Sequence, residues 1–304
     1  MNRKKAMLIY NGNAGQKNVD KTLGAAVPIL SQAIDELIVK PTRKKSDAFE
    51  FCREIGEEIG EDIGQLFILG GDGTVHECIN GISQLHTKPD IGILPGGTCN
   101  DFSRALRIPQ NIEKAAEALV NGSPVPVDVL KANDHYCLNF WGIGLITEAS
   151  SHINQTEKAL LGRISYFTSA LRTISNLEPF SFLLSIDGEE FTDEAVMVVV
   201  LNGPFIGTNK IPLPQLSIND GKADILVCRN TNLAALKELF AMDDPEWESF
   251  EGELSYYQGQ TVQVETALPM DADTDGEICT TTPASIEVLN GHLRMLAPLE
   301  KEKS

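Results

Sequence analysis

The residues of this chain best placed to do chemistry are two glycine-rich turns, each closing an apolar run. "LFILGGDGTVHECING" (Leu66–Gly81) carries Gly70, Gly71 and Gly73 around a single Asp72, with Thr74, Val75 and His76 following. "PGGTCNDFSRAL" (Pro95–Leu106) closes the next run in the same way and offers Thr98, Asn100 and Asp101 close to a new helix start. Glycines free backbone N–H groups to face a ligand, and the helix that follows points its positive end at the same place. In a parallel sheet, ligands gather at the carboxyl ends of the strands, so two such turns on adjacent strands face one crevice. The pairing points to a nucleotide. An aspartate among phosphate-facing amides is, at first sight, the wrong charge.

A second set of candidates is acidic. Asp-Gly-Glu occurs twice, at Asp187-Gly188-Glu189 and at Asp275-Gly276-Glu277. Strand-like alternation flanks the first on both sides, which predicts a hairpin tip. The second follows Asp271 and Asp273 in "MDADTDGEICTTTP", in a cluster of carboxylates that lacks alternation on its N-terminal side; a solvated acidic loop is the bland alternative. Carboxylates this close raise one another's pKa and favour a proton acceptor near neutrality. By residue type alone the two glutamates are equal candidates for a base. "NDG" at 219–221 reads as a further hairpin turn.

The elements that must position these groups fall into two textures. Over residues 1–125, short apolar runs ("AMLIY", "DELIVK", "LFILGG", "IGILPGG") alternate with helical stretches, among them "SDAFEFCREIGEEIG" with a cap at Ser46. That alternation predicts a parallel sheet with helices on both faces. Residues 126–291 show period-2 alternation with Gly/Asn/Asp turns, which predicts an antiparallel β domain with one long helix near Gln155–Ser175. There "SPVPVDVLKANDHYCLNFWGIGL" reads as two strands joined through "AND", and the tail 292–304 is expected to pack back on the first domain. Charge divides at the same boundary: 14 basic against 16 acidic residues in 1–125, and 11 against 27 in the remainder, within a total of −18. So acidic a chain is a poor partner for nucleic acid, and its contact with an anionic membrane is expected to be transient. The six cysteines show no metal-ligand spacing, and no apolar run reaches the ~18 residues of a membrane span. A cytoplasmic protein is expected.

"GGDGTVHECING" followed by "PGGTCNDFSRAL" resembles the catalytic-domain signature of the diacylglycerol kinase family, in its bacterial lipid-kinase branch, which is related to sphingosine and ceramide kinases. The resemblance implies an α/β N-terminal three-layer nucleotide-binding domain with a parallel sheet, like those of NAD kinases and phosphofructokinases. A C-terminal antiparallel β-sandwich would carry the lipid, and ATP and Mg²⁺ would be the cofactors. Position by position, it implies nucleotide contacts at Gly70, Gly71, Asp72, Gly73, Thr74, Val75, His76 and Thr98, at Asn13 in the first loop, and at Thr42, which opens "TRKKSDA" where the family has "T…GDA". It places a structural Mg²⁺ at "LSINDGKADILV", with the Asp220 carboxylate, the carbonyls of Ser217 and Lys222, and Asp128 through water; such oxygen donors suit a hard cation. The family's proton acceptor lies in a late "DGE", which selects Glu277 as base. Asp72 is then expected to orient the catalytic Mg²⁺ or the acceptor hydroxyl, since metal charge inverts the local logic. The first loop, "NGNAGQK", departs from the family pattern: Gly12 stands at the usual proline and Gln16 at the usual basic residue.

The expected activity is phosphorylation of a hydroxyl on a diacylglycerol-like lipid, at the inner face of the membrane. The rivals are a same-fold kinase of a soluble acceptor such as NAD, and a catalytically idle nucleotide- or lipid-binding regulator. A homodimer is compatible with the chain.

Overall fold

Four short apolar runs become the strands of a parallel sheet. In the computed structural model, residues 5–12, 16–57, 63–151, 178–213, 215–229 and 252–299 are described. Strand β1 (Lys5–Asn11) leads to α1 (Gln16–Ala33), β2 (Glu36–Thr42) and α2 (Asp47–Glu57). Then come β3 (Ile63–Gly70), α3 (Asp72–Ile82), β4 (Asp90–Pro95), α4 (Asp101–Ala105) and α5 (Ile112–Val120). The order across the sheet is β2-β1-β3-β4, all parallel. Ala6–Ile9, Leu66–Leu69 and Ile91–Leu94 are buried, as strands covered on both faces must be. Asn111 caps α5 by accepting from the Lys114 amide at 3.1 Å. Ser46 does not cap α2. It sits at φ 73° and donates its amide to Glu77, while the Asp47 carboxylate takes the amides of Arg43 and Lys44.

The rest is antiparallel. It runs from β5 (Ser123–Ala132) through β6 (His135–Cys137), β7 (Phe140–Gly144), α6 (Leu145–Ser151), β8 (Phe180–Ile186), β9 (Glu189–Ala195) and β10 (Met197–Leu201). The pair β11 (Phe205–Ile206) and β12 (Asn209–Lys210) precedes β13 (Ala223–Cys228), β14 (Leu254–Gly259), β15 (Thr261–Thr266), β16 (Asp271–Thr274), β17 (Glu277–Thr281) and β18 (Ala284–Ala297). One sheet is ordered β14-β13-β10-β7-β16-β17; facing it, β8 pairs with β9 and β15, and β15 with the first residues of β18. Trp141, Val198, Val200, Ile225 and Val227 meet Phe182, Leu184, Val262 and Ile286 in the core between them. The far side of the six-stranded sheet buries Val199, Leu201 and Leu226 against Leu145, Ile146, Ile211 and Leu213. Two buried faces explain why "MVVVL" and "ADILVC" are continuous apolar runs rather than alternating ones.

Compact units comprise residues 1–127 with 291–304, and residues 128–290. The chain thus passes from one to the other twice, within β5 and within β18. In the first unit, Met295 of β18 lies opposite Ile91 of β4, and Arg294 pairs with Asp90 at 3.0 Å. The structure departs from two readings of the sequence here. The single strand read over "HYCLNFWGIGL" is broken at Leu138–Asn139: β6 pairs with β5, whereas β7 joins the other sheet. The acidic stretch at 271–281 is a hairpin, not a loop, because β16 pairs with β17 across Asp275-Gly276. The helix expected near Gln155–Ser175 lies outside the described residues.

Candidate functional site

In the first unit the carboxyl ends of four strands line up. Asn11 lies opposite Thr42, Tyr10 opposite Leu69 and Gly70 opposite Pro95. Both glycine-rich turns therefore open on one edge of the sheet, and they touch backbone to backbone. The Gly96 amide donates to the Gly70 carbonyl at 2.9 Å. A Cβ on Gly97 would lie 2.5 Å from the Gly71 Cα, and one on Gly96 would lie 3.1 Å from the Gly70 Cα. The glycines are thus required first by each other: any side chain at 97 would drive the turns apart.

Asp72 completes the joint. Its carboxylate accepts the Asp101 amide at 2.8 Å and the Asn100 amide at 3.1 Å, so the first residue of α3 caps the start of α4. Asn100 holds the left-handed backbone (φ 53°) that makes this turn; its Oδ1 accepts from the Gly97 amide and its Nδ2 donates to the Gly97 carbonyl and to Gln110. This bracket was not foreseen in the sequence, although Asn is among the few residues that tolerate that conformation. Among the described residues no side chain caps α3, and the first of its amides with a backbone bond is that of Thr74, to Gly71 O. The start of α3 keeps the amide donors that a phosphate needs.

The other expected nucleotide contacts divide. Thr74 and Gly73 are half-buried at this edge and Thr98 is exposed on it. Val75 and His76 turn the other way: both side chains are buried, and Asn80 donates to the His76 carbonyl at 2.9 Å. Those two side chains pack inside the protein, so a nucleotide at this edge would meet backbone rather than side chain at 75 and 76. Thr42 is buried too, and its carbonyl accepts from the Gly12 amide at 3.0 Å, a bond that a proline at 12 could not make. Asn13 lies outside the described residues.

The second unit gathers the remaining candidates around Asp128. Fully buried, it accepts the Gly221 amide at 2.6 Å, and its own amide donates to the Ile218 carbonyl. Asp128 therefore braces the 218–221 turn, the segment expected to hold the cation, through two direct bonds. Asp220 is exposed, with one oxygen accepting the Lys222 amide, and the Ser217 hydroxyl donates to Asn219. Among the described residues no three His, Cys, Asp or Glu side chains converge. A cation held here would rest on one carboxylate, backbone carbonyls and water, a donor set that fits Mg²⁺. Buried Asn202, unremarked in the sequence, donates to the carbonyls of Asp128 and Leu138.

At the second Asp-Gly-Glu, Asp275 is buried and accepts three amides: Leu138 and Asn139 at 2.8 Å and Phe140 at 3.0 Å. Asp273 is buried and accepts the Gly276 amide. These two carboxylates are thus committed to backbone groups and do not form an open acidic cluster. Glu277, half-buried, opens β17 on the edge of its sheet. Burial pushes the Cys78 and Cys137 thiols well up, so they are packing groups rather than nucleophiles.

Comparison with known proteins agrees with this architecture. Residues 5–132 match the diacylglycerol kinase catalytic domain, and residues 142–297 match the YegS C-terminal NAD kinase beta sandwich-like domain. A Staphylococcus carnosus (strain TM300) protein described as "Putative lipid kinase" is 34% identical over 294 residues, covering 96% of each chain. A relative of the same description from Staphylococcus aureus (strain MRSA252) is 35% identical over 292 residues, 95% of this chain and 96% of that one. The crystal structure of a diacylglycerol kinase from Bacillus anthracis str. Sterne superposes with a TM-score of 0.86 at 38% identity, over 98% of both chains. With both domains matched in order and relatives spanning almost its full length, the chain belongs to the diacylglycerol kinase-like family of lipid kinases.

Proposed function

We propose that this protein is an ATP- and Mg²⁺-dependent kinase that phosphorylates a hydroxyl of a diacylglycerol-like lipid, giving a phosphatidic-acid-like product. The observation that carries the reading is the joint of the two glycine turns at one sheet edge. Its donors are already in place and cannot rotate away, which is what a phosphoryl group dispersing charge in a transition state requires. The amides at the start of α3 would hold phosphate oxygens, and Thr98 would donate its hydroxyl beside them. Glu277 would take the proton from the acceptor hydroxyl as its oxygen attacks phosphorus in line. Asp72 would reach the reacting groups with the lone pairs left over from its two amide bonds. Mg²⁺, when bound, would neutralise charge on the transferring phosphate. Contact with the lipid surface would be brief, given the acidity of the second half.

Labelled ATP offered with diacylglycerol in mixed micelles, and separately with soluble alcohols and NAD, tests the reading. Transfer to the lipid hydroxyl that is abolished by chelating Mg²⁺ is the expected result; transfer only to NAD or a soluble alcohol would overturn it. Asp72→Asn is expected to lower turnover by on the order of 10² or more, and to lower the melting temperature as well, because an amide cannot accept both backbone N–H groups.

A further inference from the structure

At the sheet edge that carries the glycine turns, one element is cationic. The loop after β2 presents Arg43, Lys44 and Lys45 in succession, all three exposed. Its backbone is fixed rather than loose. The Arg43 and Lys44 amides donate to Asp47 Oδ2 at 2.8 and 3.0 Å, and the Ser46 amide donates to Glu77 Oε1 on α3 at 3.0 Å. At its base, the Thr42 carbonyl takes the Gly12 amide, tying this loop to the turn after β1. In the strand order, β2 is two places from β3, so the end of β2 lies about 10 Å from the end of β3, where α3 starts, along the edge. That span is comparable to an extended polyphosphate.

We propose that Arg43, Lys44 and Lys45 form the cationic wall of the nucleotide site and bind the polyphosphate of the phosphoryl donor. The inference rests on the kinase reading above and names the residues that give it charge. Beside the Asp72 carboxylate, a phosphate chain gains from positive charge on the protein as well as from Mg²⁺; the three cations outnumber the two carboxylates bound to the loop, Asp47 and Glu77, and leave it cationic. An anionic membrane is the weaker partner for this loop. Polybasic membrane segments use clusters of roughly four to eight Lys/Arg, and a loop pinned at three backbone amides is shaped for a small ligand.

The test compares the full-length protein with R43Q/K44Q/K45Q and with the charge-keeping R43K/K44R/K45R. Binding of ATP, inorganic tripolyphosphate and adenosine is measured at low and high salt. The glutamine variant is expected to bind ATP and tripolyphosphate roughly three- to a hundredfold more weakly, the sum of three exposed charge contacts. Its ATP affinity should also depend less on salt, adenosine binding should be unchanged, and the charge-keeping variant should recover most of the loss. Unchanged ATP affinity in the glutamine variant would overturn the proposal. So would a loss confined to sedimentation with phosphatidylglycerol vesicles, or a charge-keeping variant as weak as the glutamine one. A wild-type protein that binds neither ATP nor tripolyphosphate would bring down the kinase reading as well, whereas failure of the loop alone leaves that reading standing.

Discussion

Asp187-Gly188-Glu189 and Asp275-Gly276-Glu277 are the same three residues in the same turn. Both aspartates are left-handed (φ 50° and 54°), both glycines follow at φ 89° and 90°, and each turn joins two antiparallel strands. Each aspartate also reaches across to backbone amides of another segment. Asp187 accepts from Gln260 and Thr261, and Asp275 from Leu138, Asn139 and Phe140. What differs is burial. The first turn is exposed at the tip of the charged edge hairpin β8–β9, whereas the second has a buried aspartate, a buried Asp273 beside it and a half-buried glutamate. Local sequence makes the turn, and its surroundings decide whether it carries only shape or also chemistry.

The largest difference between the twins is expected at the aspartates. Asp275→Ala leaves three buried amides without their acceptor, at roughly 1 kcal/mol or more each, so a loss of about 3 kcal/mol or more in denaturant unfolding is expected. Equal stability of Asp275→Ala and the wild type would erase the distinction drawn from burial. Next comes Glu277→Gln, which keeps size and reach but cannot take a proton. Turnover is expected to fall on the order of 10²–10⁴ while ATP affinity and melting temperature stay near wild type. A variant that melts early instead would make Glu277 a second structural carboxylate.

A smaller effect is expected at Asp187, and it carries a pH signature. The Thr261 amide chiefly, with the Gln260 amide and the Thr261 hydroxyl, outweighs slight desolvation and holds the Asp187 carboxyl below its usual range. A depressed folded pKa means that the stabilisation is complete above the unfolded value of ~3.9 and is lost as pH falls through the folded value. Asp187→Ala is therefore expected to cost about 0.5 kcal/mol at pH 7 after solvent screening. Its gap to wild type should close below about pH 4 in acid melts, and a gap that widened in acid would reverse the sign of the argument. The smallest effect belongs to exposed Glu189. Glu189→Gln should stay within about 0.5 kcal/mol in stability and keep wild-type turnover. If it lost turnover while Glu277→Gln kept it, the base would have to be reassigned to the exposed hairpin.

The sequence by itself determined the parallel sheet and its two glycine turns, because apolar runs ending in glycine are local signals and strand adjacency follows from chain order. It determined the antiparallel second half and the Asp187 hairpin for the same reason, since alternation and turn residues lie within a few positions of one another. Only the tertiary structure decided what the polar side chains do. Asp72 caps a helix that begins 29 residues later, Asp128 grips a turn 93 residues away, and Asp275 holds amides 135 to 137 residues before it. No periodicity encodes such contacts, because each joins segments whose positions are fixed by core packing rather than by spacing along the chain. The hairpin at Asp275 was hidden for a related reason. Its first strand is buried on both faces, with Asp273 and Thr274 inside, so the alternation that betrays an exposed hairpin is missing.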